Sequence, residues 1–371
     1  MLFRRASVLL IALGVTLFAF VMAGPRAGLL MLVGIGFGLV LEGLRFGFAG
    51  PWRMIVTDRD GRGLLAQLIA IALVAVVAFP LLAANAGELA PAHAPVGIAM
   101  ILGAFVFGMM MQLVMGCGSG TLVNAGSGNL VGLIALAGFI GGSFAGSLHL
   151  GWWTGLGSLP VLSAQGLFGD NLGLILTLAG LALVSALTLA RAAPGKRMPP
   201  RRLWIAAALI AALALANLVI AGQPWGIVYG LGLWGAKIAQ AGGADLAQTA
   251  FWAAEGNATR LSSSILTDVT SLTNIGLLIG AFAVMRWRAD PGAPAQALTL
   301  ASYGAVLGAA LILGYSARLA FGCNVGAFFS GISTGSLHGW VWLIAAFAGS
   351  TLGIRLRPHL LRPARTEGAY A

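Results

Sequence analysis

The chain has 371 residues, of which 59% are hydrophobic and 8% charged, and its mean hydropathy is +0.95. Water-soluble domains carry about 25% charged residues, so the composition excludes a pair of soluble domains and predicts an integral membrane protein. The net charge of +11 does not point to nucleic acid: the basic residues gather at Arg4-Arg5, Arg53 to Arg62, Arg191 to Arg202, Arg286-Arg288 and Arg355 to Arg365, the junctions between apolar segments, as the positive-inside rule requires.

Taken in chain order, residues 1–24 resemble a signal peptide, with Arg4-Arg5, an apolar stretch and Val21-Met-Ala-Gly24, but more apolar segments follow at once and the stretch reads as a first membrane helix. Segments of spanning length fall near 7–23, 28–48, 64–84, 96–115, 130–148, 171–190, 203–221, 270–285, 297–317 and 336–354. Shorter or glycine-broken pieces lie at 117–128, 225–240 and 322–334. No Lys or Arg occurs between Gly63 and Ala190, and the 55 glycines fit helices that pack closely and backbone that breaks within the membrane. The basic, Pro-rich run 191–202 reads as a cytoplasmic linker between an N-terminal half, 1–190, and a C-terminal half, 203–371. A full crossing at 225–240 followed by another at 270–285 would put Arg286 and Arg288 on the wrong side; the conflict disappears if 225–240 enters and leaves on one side.

Two stretches repeat a motif. Leu113-Val-Met-Gly-Cys-Gly-Ser-Gly-Thr121 and Leu319-Ala-Phe-Gly-Cys-Asn-Val-Gly-Ala327 both contain Gly-Cys-x-x-Gly, and Cys117 and Cys323 are the only cysteines. Gly142-Ser-x-x-Gly146 follows Cys117 by 25 residues, and Gly349-Ser-x-x-Gly353 follows Cys323 by 26. Shared motif and spacing imply two related halves and two thiols at equivalent places in one pseudo-symmetric site. Gly116, Gly118, Gly120, Gly322 and Gly326 would let the backbone turn sharply and a ligand approach closely, with Asn324 beside the second thiol. Two cysteines are too few for a disulfide framework. Apolar burial favours the neutral S–H, a weak donor suited to handing a soft, sulfur-bearing anion along.

These residues resemble the YeeE/YedE membrane proteins, which include bacterial thiosulfate transporters. The resemblance rests on Arg318-Leu-Ala-Phe-Gly-Cys-Asn-Val-Gly-Ala327, Gly331-Ile-Ser-Thr-Gly-Ser-Leu-His-Gly-Trp-Val-Trp342, Gly349-Ser-Thr-Leu-Gly353, Pro224-Trp-Gly-Ile227 and Leu231-Gly-Leu-Trp-Gly-Ala-Lys237. It implies an all-α integral membrane protein of two pseudo-symmetric halves, with spanning helices and short re-entrant helices around a narrow central path. It implies import of thiosulfate or a related sulfur or selenium compound, with Cys117 and Cys323 lining the path. One stretch departs: where the family carries a third cysteine this chain has Arg45-Phe-Gly-Phe-Ala-Gly50, so Gly47 stands in place of a thiol.

Other residues weigh less. Gly230-Leu-Gly-Leu-Trp-Gly235 matches a dinucleotide-binding pattern but lacks the preceding strand, and reads as packing. Lys237 is a cation in an apolar segment, where function and snorkelling are equal readings. Arg318, five residues before Cys323, could attract an anion or anchor a helix end. Glu42 is placed to pair with Arg45. His149 and His338 share Gly-Ser-Leu-His but stand 32 and 15 residues after their cysteines, so the repeat does not pair them as metal ligands. The reading is a multi-pass inner-membrane importer in a bacterium, with a small sulfur-containing anion as substrate, no cofactor or metal, and a cytoplasmic sulfur-carrier protein as a further candidate partner. A channel, or a thiol oxidoreductase using the two cysteines, are the alternatives.

Overall fold

The computed structural model describes residues 2–288 and 298–361; the first residue of the span expected at 297–317, and Arg362 and Arg365 of the last basic cluster, lie outside the described residues. Among the described residues the regular structure is helical, apart from two isolated bridges. In chain order the helices are α1 (Leu2–Ala23), α2 (Pro25–Gly43), α3 (Ala49–Thr57), α4 (Arg62–Ala84), α5 (Ile98–Leu113), α6 (Gly118–Gly126), α7 (Leu130–Thr154), α8 (Ala164–Phe168) and α9 (Asp170–Arg191). Then come α10 (Arg201–Ala221), α11 (Val228–Ala241), α12 (Ala250–Ala253), α13 (Glu255–Ser262), α14 (Val269–Trp287), α15 (Leu300–Leu319), a π-helical segment Asn324–Gly331, and α16 (Leu337–Leu360).

Ten stretches among the described residues are long and apolar enough to span a bilayer, which makes this an all-α, multi-pass membrane protein. Two of the ten are broken. Helices α5 and α6 share the span Ile98–Gly126, and α15 shares Leu300–Gly331 with the π-helical segment. Helix α11 has 14 residues, about 21 Å at 1.5 Å per residue, short of the ~30 Å hydrocarbon core. The basic segments 53–62 and 191–202 and Arg288 then fall at one end. There Gly61 N–H donates to the Lys196 carbonyl (3.0 Å), Ala193 N–H to the Arg59 carbonyl (2.8 Å), and Arg288 pairs with Glu42 (2.8 Å). At the opposite end Ala90 N–H donates to Gly222, Leu159 N–H to Val96 and Leu337 N–H to Leu162. The segregation matches a cytoplasmic basic end.

The closest helix pairs are α2 with α14, α5 with α16, and α7 with α15, each joining the first half of the chain to the second. Small residues permit this, as in other membrane bundles where the hydrophobic effect does not drive helix association. A Cβ on Gly34 would lie 2.8 Å from Thr273 Cα. One on Gly349 or Gly353 would strike the carbonyl oxygens of Phe105 and Met109, and one on Gly142 or Gly146 would meet those of Leu311 and Tyr315. Phe105 and Leu311 each precede their cysteine by 12 residues (117−105 = 323−311), and Met109 and Tyr315 by 8 (117−109 = 323−315). The Gly-Ser-x-x-Gly repeats are therefore the clasps of equivalent helix pairs.

Two further non-helical loops, at residues 44–48 and 222–227, start at opposite ends of the bundle and lead into it, with Phe46, Phe48, Trp225 and Ile227 buried. Backbone polar groups at that depth need partners, and buried amides supply them. Gln67 Nε2, on α4, donates to the carbonyls of Gly47 (2.7 Å) and Phe48 (3.3 Å), and its Oε1 accepts from Trp52 Nε1 (3.1 Å). Asn274 Nδ2, on α14, donates to the Ile227 carbonyl (3.0 Å). Both residues stand five past the start of their helix. Gln112 Nε2 reaches the Ala49 carbonyl (3.1 Å), Asn217 Nδ2 that of Gln223 (3.0 Å), and Ser330 Oγ that of Trp225 (2.7 Å). The Trp225 ring stacks on Phe37 with centroids 3.8 Å apart and meets Phe329 edge-on.

Candidate functional site

Each broken span is built by the same backbone device. Met115 and Phe321, two residues before the cysteines, take positive φ (60° and 55°), and Arg45 does the same (54°) two residues before Gly47. Left-handed conformations cost a non-glycine residue on the order of 1 kcal/mol and persist where packing imposes them. Gly322 follows with φ 152° and a Cβ there would lie 2.8 Å from Ala327 N, so that turn excludes a side chain, while one on Gly116 would press tightly on the Gly120 carbonyl carbon at 3.0 Å. The chain then re-enters a helix. Cys117 caps α6 and Cys323 caps the π-helical segment, both extended (φ −84° and −112°). Each sulfur sits at the start of its helical piece, where free N–H groups and the positive dipole end face outward.

The two breaks meet. A Cβ on Gly118 would lie 2.9 Å from Cys323 Sγ and 3.2 Å from Ile227 Cγ2. The Cys323 sulfur faces the N–H groups of Val325, Gly326 and, from the other half, Gly118. Since adjacent Cα atoms are 3.8 Å apart, Cys323 Sγ is within about 8 Å of the Cys117 backbone. Cys117 Sγ lies 3.4 Å from Ser119 Oγ. Both cysteines are 0% exposed, so neither faces lipid. Asn324, also 0% exposed, leaves its Oδ1 and Nδ2 without partners, and so does Thr121 Oγ1. Orphaned buried polar atoms are costly; Asn324 follows Cys323 directly in sequence, and Thr121 stands one helical turn after Cys117.

A cavity lies on either side. Towards the basic end, about 200 Å³ is lined by Glu42, Arg45, Gly47, Met115, Gly116, Ser119, Gly120 and Asn124. Towards the opposite end, about 440 Å³ is lined by His93, Tyr229, Phe251, Arg318, Phe321, Gly322, Gly326 and His338. Met115, Gly116 and Gly120 of the first motif and Phe321, Gly322 and Gly326 of the second thus open onto opposite cavities. A Cβ on Gly47 would meet nothing within 4 Å, so the missing thiol leaves open space at the basic-end mouth.

The charged residues separate. Arg318 lines the larger cavity, buried to 7% exposure, with Nη2 3.3 Å from Ser143 Oγ and 3.4 Å from the Val228 carbonyl. Lys237 stands apart from both cavities: its Nζ donates to the carbonyls of Leu261 (2.7 Å) and Ser263 (2.6 Å), tying α11 to α13. Glu42 pairs with Arg45 (3.1 Å) and also with Arg288, the residue that follows α14, bridging the basic-end mouth. His149 Nδ1 lies 3.1 Å from the Tyr315 hydroxyl, and His338 Nδ1 lies 3.1 Å from Ser336 Oγ. Burial holds the His93 imidazole below its ordinary range, and the neutral ring donates Nε2–H to the Thr334 carbonyl (2.9 Å). Sequence reasoning passed over Gln67, Gln112, Asn217 and Asn274; a lone amide within an apolar span was the signal available.

A family model described as Sulphur transport matches residues 44–352. Two curated relatives, both named "Probable transporter YedE", align over 136 residues: that of Escherichia coli (strain K12) at 31% identity, covering 37% of this chain and 33% of the relative, and that of Salmonella typhimurium (strain LT2) at 32% with the same coverage. The alignment thus spans a third of the relatives' length.

Proposed function

The chain belongs to the Sulphur transport family, and from that premise we propose that this membrane transporter imports a small sulfur-containing anion, thiosulfate first among the candidates, past two neutral cysteine thiols. The observation that carries the reading is the crossing of two broken spans, each presenting one sulfur at a helix start, between two cavities that open toward opposite ends. The anion enters the larger cavity, meets Cys323 and the Gly118 N–H, passes to Cys117 and Ser119, and leaves beside Gly47 and Asn124. Asn324 and Thr121 give it hydrogen bonds on the way. Such dipole-facing sites in discontinuous helices suit an anion near mid-membrane.

The two halves meet at the linker 191–202 and are related by a pseudo-two-fold axis through the cysteines. In support, α5 clasps α16 as α15 clasps α7, and Gln67 serves its loop as Asn274 serves the other. The basic end faces the cytoplasm of a bacterial cell, where a sulfur-carrier protein would receive the cargo. No bond is broken in passage, so no catalytic residue is assigned.

The test is growth. A bacterium lacking its own sulfate and thiosulfate importers is given this chain and grown on thiosulfate, sulfite, sulfide or a selenium analogue as sole source. Growth on thiosulfate with saturable uptake supports the reading; growth on none of them ends it, and linear flux identifies a channel.

A further inference from the structure

Arg318 is a buried cation with little to bind. A guanidinium offers five N–H donors in a rigid fork. Among the described residues no carboxylate pairs with this one, its two hydrogen bonds are long, and its Nε has no partner. Its remaining neighbours are π faces, with the Tyr229 and Phe251 centroids 5.7 and 5.1 Å from Cζ. An unpaired charge inside a membrane protein is costly and marks function by default. The fold makes room for it deliberately: a Cβ on Gly232 would strike Arg318 Nη2. Gly230-Leu-Gly-Leu-Trp-Gly235 thereby gains a purpose. Its outer glycines seat α11 against Asn274 and Phe144, and its middle glycine cradles the guanidinium. The same cavity is lined by Gly322 and Gly326, on either side of Cys323.

Resting on the transport reading above, we propose that Arg318 is the specificity residue of the larger cavity: its open fork binds the oxygen-bearing head of the anion, while the soft sulfur end is directed to Cys323. The substrate class is then an anion with both an oxyanion head and a terminal sulfur or selenium. A charge-assisted, two-pronged N–H···O contact supplies the head recognition, and the thiol supplies the rest.

The experiment uses the purified full-length protein. Thiosulfate binding is measured calorimetrically in detergent, with sulfate and hydrosulfide as competitors, and radiolabelled thiosulfate uptake is measured in proteoliposomes. Wild type is expected to bind thiosulfate, with sulfate (head only) the stronger competitor at this site than hydrosulfide. Arg318→Met is expected to weaken binding at least about tenfold, the scale of one charged hydrogen bond. Arg318→Lys, which keeps charge without the fork, should fall between. Gly232→Ala keeps the charge but displaces the fork, and should also weaken binding. Unchanged affinity in Arg318→Met overturns the assignment; where that variant does not elute as wild type does, unchanged affinity in Gly232→Ala overturns it. Absence of thiosulfate binding by wild type overturns it too. Wild-type uptake with binding unchanged in the variants removes Arg318 and leaves transport standing; binding lost in the variants without any wild-type uptake does the reverse.

Discussion

At the residue scale the two sulfurs are distinguished from ordinary buried cysteine by position. A small buried thiol is a common core filler, but here each begins a helical piece after a left-handed turn, beside unpartnered polar atoms. Cys117→Ala and Cys323→Ala are each expected to abolish or severely reduce uptake while expression and insertion stay normal; wild-type uptake in both would reduce the cysteines to packing. Gly118→Ala leaves both thiols in place but puts a methyl 2.9 Å from Cys323 Sγ, and we expect uptake to fall with it, measured as initial rate in vesicles. Gly47→Cys has open space for its side chain. Its thermal midpoint should match wild type within about 1 °C, close to the shift that about 1 kcal/mol produces in a chain this size, and it should react with alkylating reagents. The thiols and the flanking glycines were legible in the sequence because the motif occurs twice, and the gap at Gly47 only through the resemblance to a family that carries a third cysteine there. Lys237 was less so: a cation in an apolar stretch reads the same whether it faces a path or ties down loop carbonyls.

At the element scale the spans could be read from hydropathy alone, since lipid demands about 20 apolar residues per crossing. The interruptions were legible where glycine surrounds cysteine, and α11 was legible through charge: a second crossing there would have stranded Arg286 and Arg288. What the pattern did not disclose is how broken backbone survives in a dry interior. The answer is a few isolated polar side chains, Gln67 and Gln112 at one loop and Asn274, Asn217 and Ser330 at the other, and such single residues carry no periodicity. Gln67→Leu would leave the Gly47 and Phe48 carbonyls and the Trp52 indole N–H without partners. A buried unsatisfied group costs about 1–3 kcal/mol, so a lower thermal midpoint in detergent is expected, and uptake per folded molecule should fall because the loop borders the basic-end cavity. Asn274→Leu should behave alike at the other loop. A midpoint unchanged in both would show that the loops are held by packing alone.

At the scale of the whole molecule, the run 191–202, proposed above as the linker between two halves, does not separate them in space. Every one of the three closest helix pairs crosses between them, and at each the backbones touch through glycine with no side chain to slide past. Interfaces of that kind transmit load as a rivet does. Two lobes swinging about a hinge would have to shear three such seams at once, so we expect the seams to hold together through a transport cycle. Traffic would then be regulated by small doors, a rotamer or a loop at each mouth, inside a frame that stays still. Spin labels placed on α2 and α14, or on α7 and α15, should therefore keep their separation to within about 2 Å, below the scale of domain rearrangements, whether thiosulfate is present or absent.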